Sequence, residues 1–177
     1  MNSRKIATIV GVLILLAYSV LASSVTDLKW VVTFFEVISG LAVIGIAVLM
    51  FPFFKSHGLR FGYISLKSVE GLIMIIAGFF FLGGSVFGLR DPMYSVHTYI
   101  FIVSAFIFYV LLYKTRIVPR FISVWGMIAV VLLLVSQLWE LSGSIPMVVS
   151  VIGLAPMVLN EFYLAIHLMV KGFKANP

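Results

Sequence analysis

An all-α, polytopic membrane protein is the fold class this sequence predicts: six transmembrane helices in a single bundle with both termini cytoplasmic. Three observations predict it. The chain of 177 residues is 63% hydrophobic and only 10% charged, with a mean hydropathy of +1.22, where soluble domains carry about 25% charged residues. The charges gather in short seams between apolar stretches of about 20 residues or more, the length needed to cross hydrocarbon. Basic residues also alternate in density from seam to seam, as the positive-inside rule requires.

The spans follow in order as 6–23, 30–54, 63–87, 94–113, 121–141 and 146–170. They are too long for membrane strands, which need about half that length. Helices also satisfy their backbone groups internally, as hydrocarbon demands. Six such spans fill residues 1–177 as one domain. The first follows Arg4-Lys5 and ends at Ala22-Ser23-Ser24, so it resembles a signal peptide. Its apolar run is longer than the usual signal core of about 7–15 residues, and it is expected to be retained as a span. The second and third spans are rich in small residues: Ser39, Gly40 and Gly45, then Gly78, Gly83, Gly84 and Gly88. Such residues allow close helix contact in lipid. Gly84 and Gly88 form a G-x-x-x-G pair that would suit either internal packing or a homo-oligomer seam. Pro119 and Pro146 stand at helix starts, where proline loses no needed donor. Pro156 lies inside the sixth span, where a kink is expected.

Orientation follows from the basic residues. Arg4, Lys5, Lys55, Arg60, Lys114, Arg116, Arg120, Lys171 and Lys174 fall at the ends and even loops, against Lys29 and Arg90 in the odd loops. The richer side is cytoplasmic, and the plasma membrane is the expected location. The net charge of +6 reflects this asymmetry and contact with anionic membrane lipids rather than nucleic acid, since no basic helix with stacking aromatics is present.

Polar residues inside the spans are the candidate functional residues, because burying them in hydrocarbon is costly. The inner group is Lys67, Glu70, Asn160, Glu161, Tyr163 and His167. Lys67 and Glu70 share a helix face three residues apart. Asn160, Tyr163 and His167 make a stripe at spacings of three and four. Glu161 stands ten residues before Lys171, about 15 Å along a helix, so its charge must be met by Lys67, water, a ligand or a proton. A polar site between spans three and six follows, with those spans in contact. It would serve either a small solute, proton or lipid headgroup, or as a structural clasp in an accessory subunit. The outer group is Glu36, His97, Gln137 and Glu140, with Asp91 and Tyr94 nearby.

Several chemistries find no support. The chain has no cysteine, which excludes thiol chemistry and iron–sulfur ligation. His97 and His167 lie near opposite membrane faces and cannot share one iron, so no haem is expected, and no metal site. No nucleophile–base pair, P-loop or dinucleotide fingerprint occurs, so an enzyme is not favoured.

Three stretches, FPFFKSHGLRFGYISLKSVEG (51–71), LLYKTRIVPRFISVWG (111–126) and NEFYLAIHLMVKGF (160–173), resemble the prokaryotic multi-pass membrane family called domain of unknown function 4386. The resemblance implies a small helical membrane protein without an assigned activity. It marks Lys67, Glu70, Arg120, Asn160, Glu161, Lys171 and Gly172 as motif positions. The family usually carries arginine at the Lys67 position and an aromatic at that of His167; lysine keeps the charge but loses the bidentate fork.

The orientation is checked by single cysteines in this cysteine-free chain. Asp91→Cys is expected to react with an impermeant maleimide only from outside, and Lys171→Cys only from the cytoplasm. Labelling of position 91 from the cytoplasm alone would reverse the topology.

Overall fold

The structure, a computed structural model, describes residues 2–24, 26, 28–83, 90–143 and 146–174, and among them the side chains of all but 22–24, 90 and 91. Six helices carry the chain: α1 Ser3–Ala17, α2 Lys29–Met50, α3 Arg60–Leu82, α4 Arg90–Thr115, α5 Arg120–Glu140 and α6 Met147–Val170. All six are long and apolar enough to cross a membrane, α1 when taken with the residues to Leu21. Two of them tighten at one end into 3-10 turns, Tyr18–Ser24 after α1 and Phe51–Phe54 after α2. The third span is helical to Leu82; its expected extension to residue 87, with Gly84 and Gly88, lies outside the described residues.

Local chemistry fixes the helix ends. Asn2 caps α1 through its side-chain oxygen, which accepts from the Arg4 amide at 3.1 Å. This satisfies one of the donors a helix start leaves unpaired. Pro119 and Pro146 stand immediately before α5 and α6. At the far end of α6, the Arg4 guanidinium donates to the carbonyls of Val170 and Lys171. Gly172 there takes φ +74, a left-handed conformation that glycine adopts without penalty. The Lys174 amide donates to Ile117 at 2.8 Å. The first and last helices are thus tied at the basic end.

Packing is cyclic. Each helix packs against its neighbours in the chain, and α6 returns against α1. Among the described residues α3 and α6 do not form a packed pair. This corrects the expectation that spans three and six pack against each other. The reason lies in α2. The Gly40 and Gly71 backbones of α2 and α3 meet face to face, each glycine opposite the other's carbonyl. Thr33 reinforces this seam by donating its hydroxyl to the Gly78 carbonyl at 2.8 Å. In lipid, where no hydrophobic effect draws helices together, such backbone contact is a principal source of affinity. It holds α3 beside α2 and away from α6. Other seams repeat the device: Gly11 of α1 against Ala165 and Met169, Gly126 of α5 under the Tyr109 ring, and Gly153 of α6 against Ser136.

The interior is aromatic near the basic ends of the helices. Tyr63 stacks on Phe108 with centroids 5.5 Å apart and meets Phe54 edge-on at 5.4 Å. Phe54, Tyr63 and Tyr109 are fully buried. The outward faces carry Phe34, Leu41, Phe79, Val103, Ile128, Val135 and Ile166, all more than half exposed. Such a surface suits lipid, not water.

A Cβ at position 71 has no room before the Gly40 carbonyl and Ile44, whereas Gly58 has nothing within 4 Å. Gly71→Ala is therefore expected to destabilise the protein by roughly 1–3 kcal/mol, read as a lower Tm in detergent, with Gly58→Ala near the parent value.

Candidate functional site

The site is built on α3. Lys67 and Glu70 lie one turn apart and point inward; both are buried. The Lys67 ammonium meets Glu70 Oε1 at 2.8 Å and Oε2 at 3.1 Å. Ser104 of α4 donates its hydroxyl to Glu70 Oε2. The Lys67 ammonium also stands 5.0 Å above the Phe101 ring centroid, a favourable placement for a cation. The pair is thus bound to α4, not to α6. Serine at position 104 and phenylalanine at 101 gave no signal in the sequence, because both residue types are ordinary in membrane helices.

Glu161 is supplied by α6. Its Oε2 accepts a hydrogen bond from the Tyr18 hydroxyl at 2.8 Å. Tyr18 sits where α1 tightens into its 3-10 turn, and its ring packs on Phe162 with centroids 4.9 Å apart. Among the described residues Glu161 forms no ion pair; that of Lys67 is with Glu70. Tyr18 is the residue that sequence reasoning missed. Only its depth, level with an ionisable residue of another span, hinted at it.

Lys67, Glu70 and Glu161 line one cavity of about 220 Å³. Its remaining wall is mostly apolar and includes Ile46, Met74, Phe108, Met157 and Leu164, with Tyr18, His97 and Phe101 also on it. The helices that do not pack against each other are therefore held on the two sides of a shared space.

Other expected members fall elsewhere. Asn160 is fully buried; its amide faces the Tyr109 hydroxyl of α4 without closing to hydrogen-bond geometry. The stripe it was expected to form with Tyr163 and His167 is divided. Tyr163 is 42% exposed and turns toward α5, where its ring meets Phe121 at 5.4 Å and Trp125 at 6.5 Å. His167 stacks on Tyr163 at 6.5 Å. Neither Tyr163 nor His167 lines the cavity, because α6 must offer that face to α5.

The outer group also separates. Glu36 is buried on α2 and accepts from the Tyr94 hydroxyl of α4 at 2.7 Å. Gln137 donates to Glu140 at 3.3 Å on the exposed end of α5. His97 belongs with the inner residues instead: it lines the cavity, lies against Tyr94 and Phe101, and its Nε2 is buried without a hydrogen-bond partner. Tyr94, His97, Phe101 and Ser104 form one face of α4, joining the two layers that depth alone had kept apart. The Asp91 side chain lies outside those described.

Residues 85–172 match the family model described as "Domain of unknown function (DUF4386)". They are a DUF4386 domain. The match takes in the second stretch that carried the resemblance, 111–126, and the third, 160–173, as far as residue 172, while 51–71 precedes it. The DUF4386 region therefore supplies His97, Ser104, Asn160 and Glu161, and Lys67 and Glu70 come from the chain before it. No curated protein and no solved structure matches the chain.

Removing one partner of a buried pair strands the other. Glu70→Ala is expected to cost roughly 3–5 kcal/mol by leaving Lys67 uncompensated, whereas the double replacement Lys67→Met with Glu70→Leu should recover most of that loss. Thermal unfolding in detergent measures both. Parent-like stability of Glu70→Ala would show that the pair carries no such burden.

Proposed function

We propose that this protein binds or transports a small solute within the plasma membrane, as one six-helix bundle of residues 1–177 with both termini cytoplasmic. One observation carries the reading. Three ionisable side chains from two helices that do not pack together, Lys67 and Glu70 of α3 and Glu161 of α6, border a common cavity. A clasp between two helices needs direct pairing of its charges. Here the α3 pair is closed within itself and by Ser104, and Glu161 is left facing the shared space with a neutral tyrosine. Intramembrane ionisable residues of this kind are by default substrate, ion or proton sites.

A structural role is supported for a different pair. Glu36 and Tyr94 join α2 to α4 at full burial of the carboxylate, beside the Thr33–Gly78 contact. That arrangement is a clasp, and it stabilises the wall against which the cavity stands. Asn160, the neighbour of Glu161 on α6, is buried facing Tyr109 of α4.

The reading is tested by access. Ala105 lines the cavity and Ala129 is buried on α5 away from it. In proteoliposomes Ala105→Cys is expected to react with the small thiol reagent methanethiosulfonate ethylammonium, and Ala129→Cys to remain unreactive. Equal protection of both would make the cavity a dry feature of the packing and remove the binding role.

A further inference from the structure

We propose that the cavity's ligand is a lipophilic monoamine whose ammonium pairs with Glu161. The inference rests on the binding reading above and names its ligand class.

Charge decides the polar end. Along the cavity wall Lys67 and Glu70 offset one another, both Glu70 oxygens facing the ammonium at 2.8 and 3.1 Å. Ser104 adds a further donor to Glu70. Glu161 has the Tyr18 hydroxyl and no cation. One carboxylate is therefore the surplus group of the site, and the complement of one carboxylate in a poorly hydrated space is one positive charge. A second carboxylate nearby disfavours an anion. A bare metal cation is also a poor fit, because its hydration shell must be replaced by several oxygens. Among the described cavity-lining side chains, those outside the Lys67–Glu70 pair that bear oxygen are Tyr18 and Glu161. An ammonium needs fewer partners and accepts aromatic faces as well, and Tyr18, Phe101 and Phe108 present such rings to the space.

Shape and access decide the rest of the molecule. Apart from the His97 imidazole, the wall beyond the charged groups is aliphatic or aromatic, so the ligand body must be largely apolar. A cavity of about 150 Å³ takes benzene; one of about 220 Å³ has room for a ring with a short aminoalkyl arm. Leu21 and Leu154 both line the cavity, yet they are 54% and 50% exposed. The space therefore reaches the apolar outer surface between the 3-10 end of α1 and the outer half of α6. The backbone of that 3-10 segment packs on α2, and Tyr18 at its start reaches across to α6. A ligand dissolved in the bilayer meets this opening directly.

Three probes of one shape test the inference on the purified full chain in nanodiscs by calorimetry: phenethylamine, n-propylbenzene and 3-phenylpropanoate. Phenethylamine is expected to bind at least about tenfold more tightly than either analogue. Glu161→Gln should weaken it by about tenfold or more, as loss of a buried charge partner does, while leaving n-propylbenzene unchanged. Glu161→Asp, which keeps the charge, should restore most of the preference and guards against a misfolded variant. Equal binding of n-propylbenzene, a preference for 3-phenylpropanoate, or an unchanged phenethylamine affinity in Glu161→Gln would overturn the amine while leaving the cavity as a binding site. If none of the three binds, the amine is overturned, and Ala105→Cys separates the two failures. Reaction there preserves the binding reading; protection removes both.

Discussion

A lysine ammonium in hydrocarbon is tolerated only where its counter-charge is close and its other donors are occupied. Lys67 meets that condition within its own helix, one turn from Glu70. Because the pair is local, it does not depend on a distant span, and it fixes the rotation of α3 about its axis. With Lys67 and Glu70 turned inward, Gly71 and Gly78 fall on the side of α2, and Ser104 of α4 meets the carboxylate from the other side. Rotating α3 to bring Glu70 toward α6 would pull Gly71 off Gly40. The ionic pair and the glycine seam thus constrain the same helix together.

Cyclic packing follows from that constraint, and it leaves a middle that side chains must fill. Near the basic ends they do so with rings: Phe54, Tyr63, Phe108 and Tyr109. Farther along, the lining shifts to Ile46, Met74, Ala105 and Met157, and the cavity opens. Ala105 is decisive in size, since it occupies a place on α4 one turn from Phe101 and Phe108. The aromatic plug and the cavity are two consequences of one architecture with different side-chain volumes.

The sequence displayed the membrane class, the six spans and the local pair, because each is written in short-range pattern. Apolar length marks a span, and a spacing of three marks the partnership of Lys67 with Glu70. Which helix lies next to which was less legible. Glu70 and Glu161 read as level in depth, and both line the cavity, but depth does not say whether two helices touch or face each other across a space. The Gly40–Gly71 contact decides that, and glycines at many positions made this pairing one among several. Tyr18 and Ser104 were hidden for another reason: a hydroxyl in an apolar helix acquires a role only from what tertiary packing puts beside it. The spacing that linked Asn160, Tyr163 and His167 was real, yet α6 offers that face to α5.

The closure of α6 on α1 has a consequence for the order in which the molecule is made. Synthesis delivers α1 to the membrane first and α6 last of the six. Until α6 arrives, Gly11 has no Ala165 to meet, Arg4 has no Val170 carbonyl to cover, and Tyr18 has no carboxylate to hold. A nascent chain of five helices therefore has an open slot facing lipid, its polar wall already set by Lys67 and Glu70. The sixth helix turns that slot into a chamber and brings Glu161 with it. The closed chamber is then a property that appears in the final step of assembly, and a chain halted before that step would have the membrane span of the protein without the enclosed polar cavity.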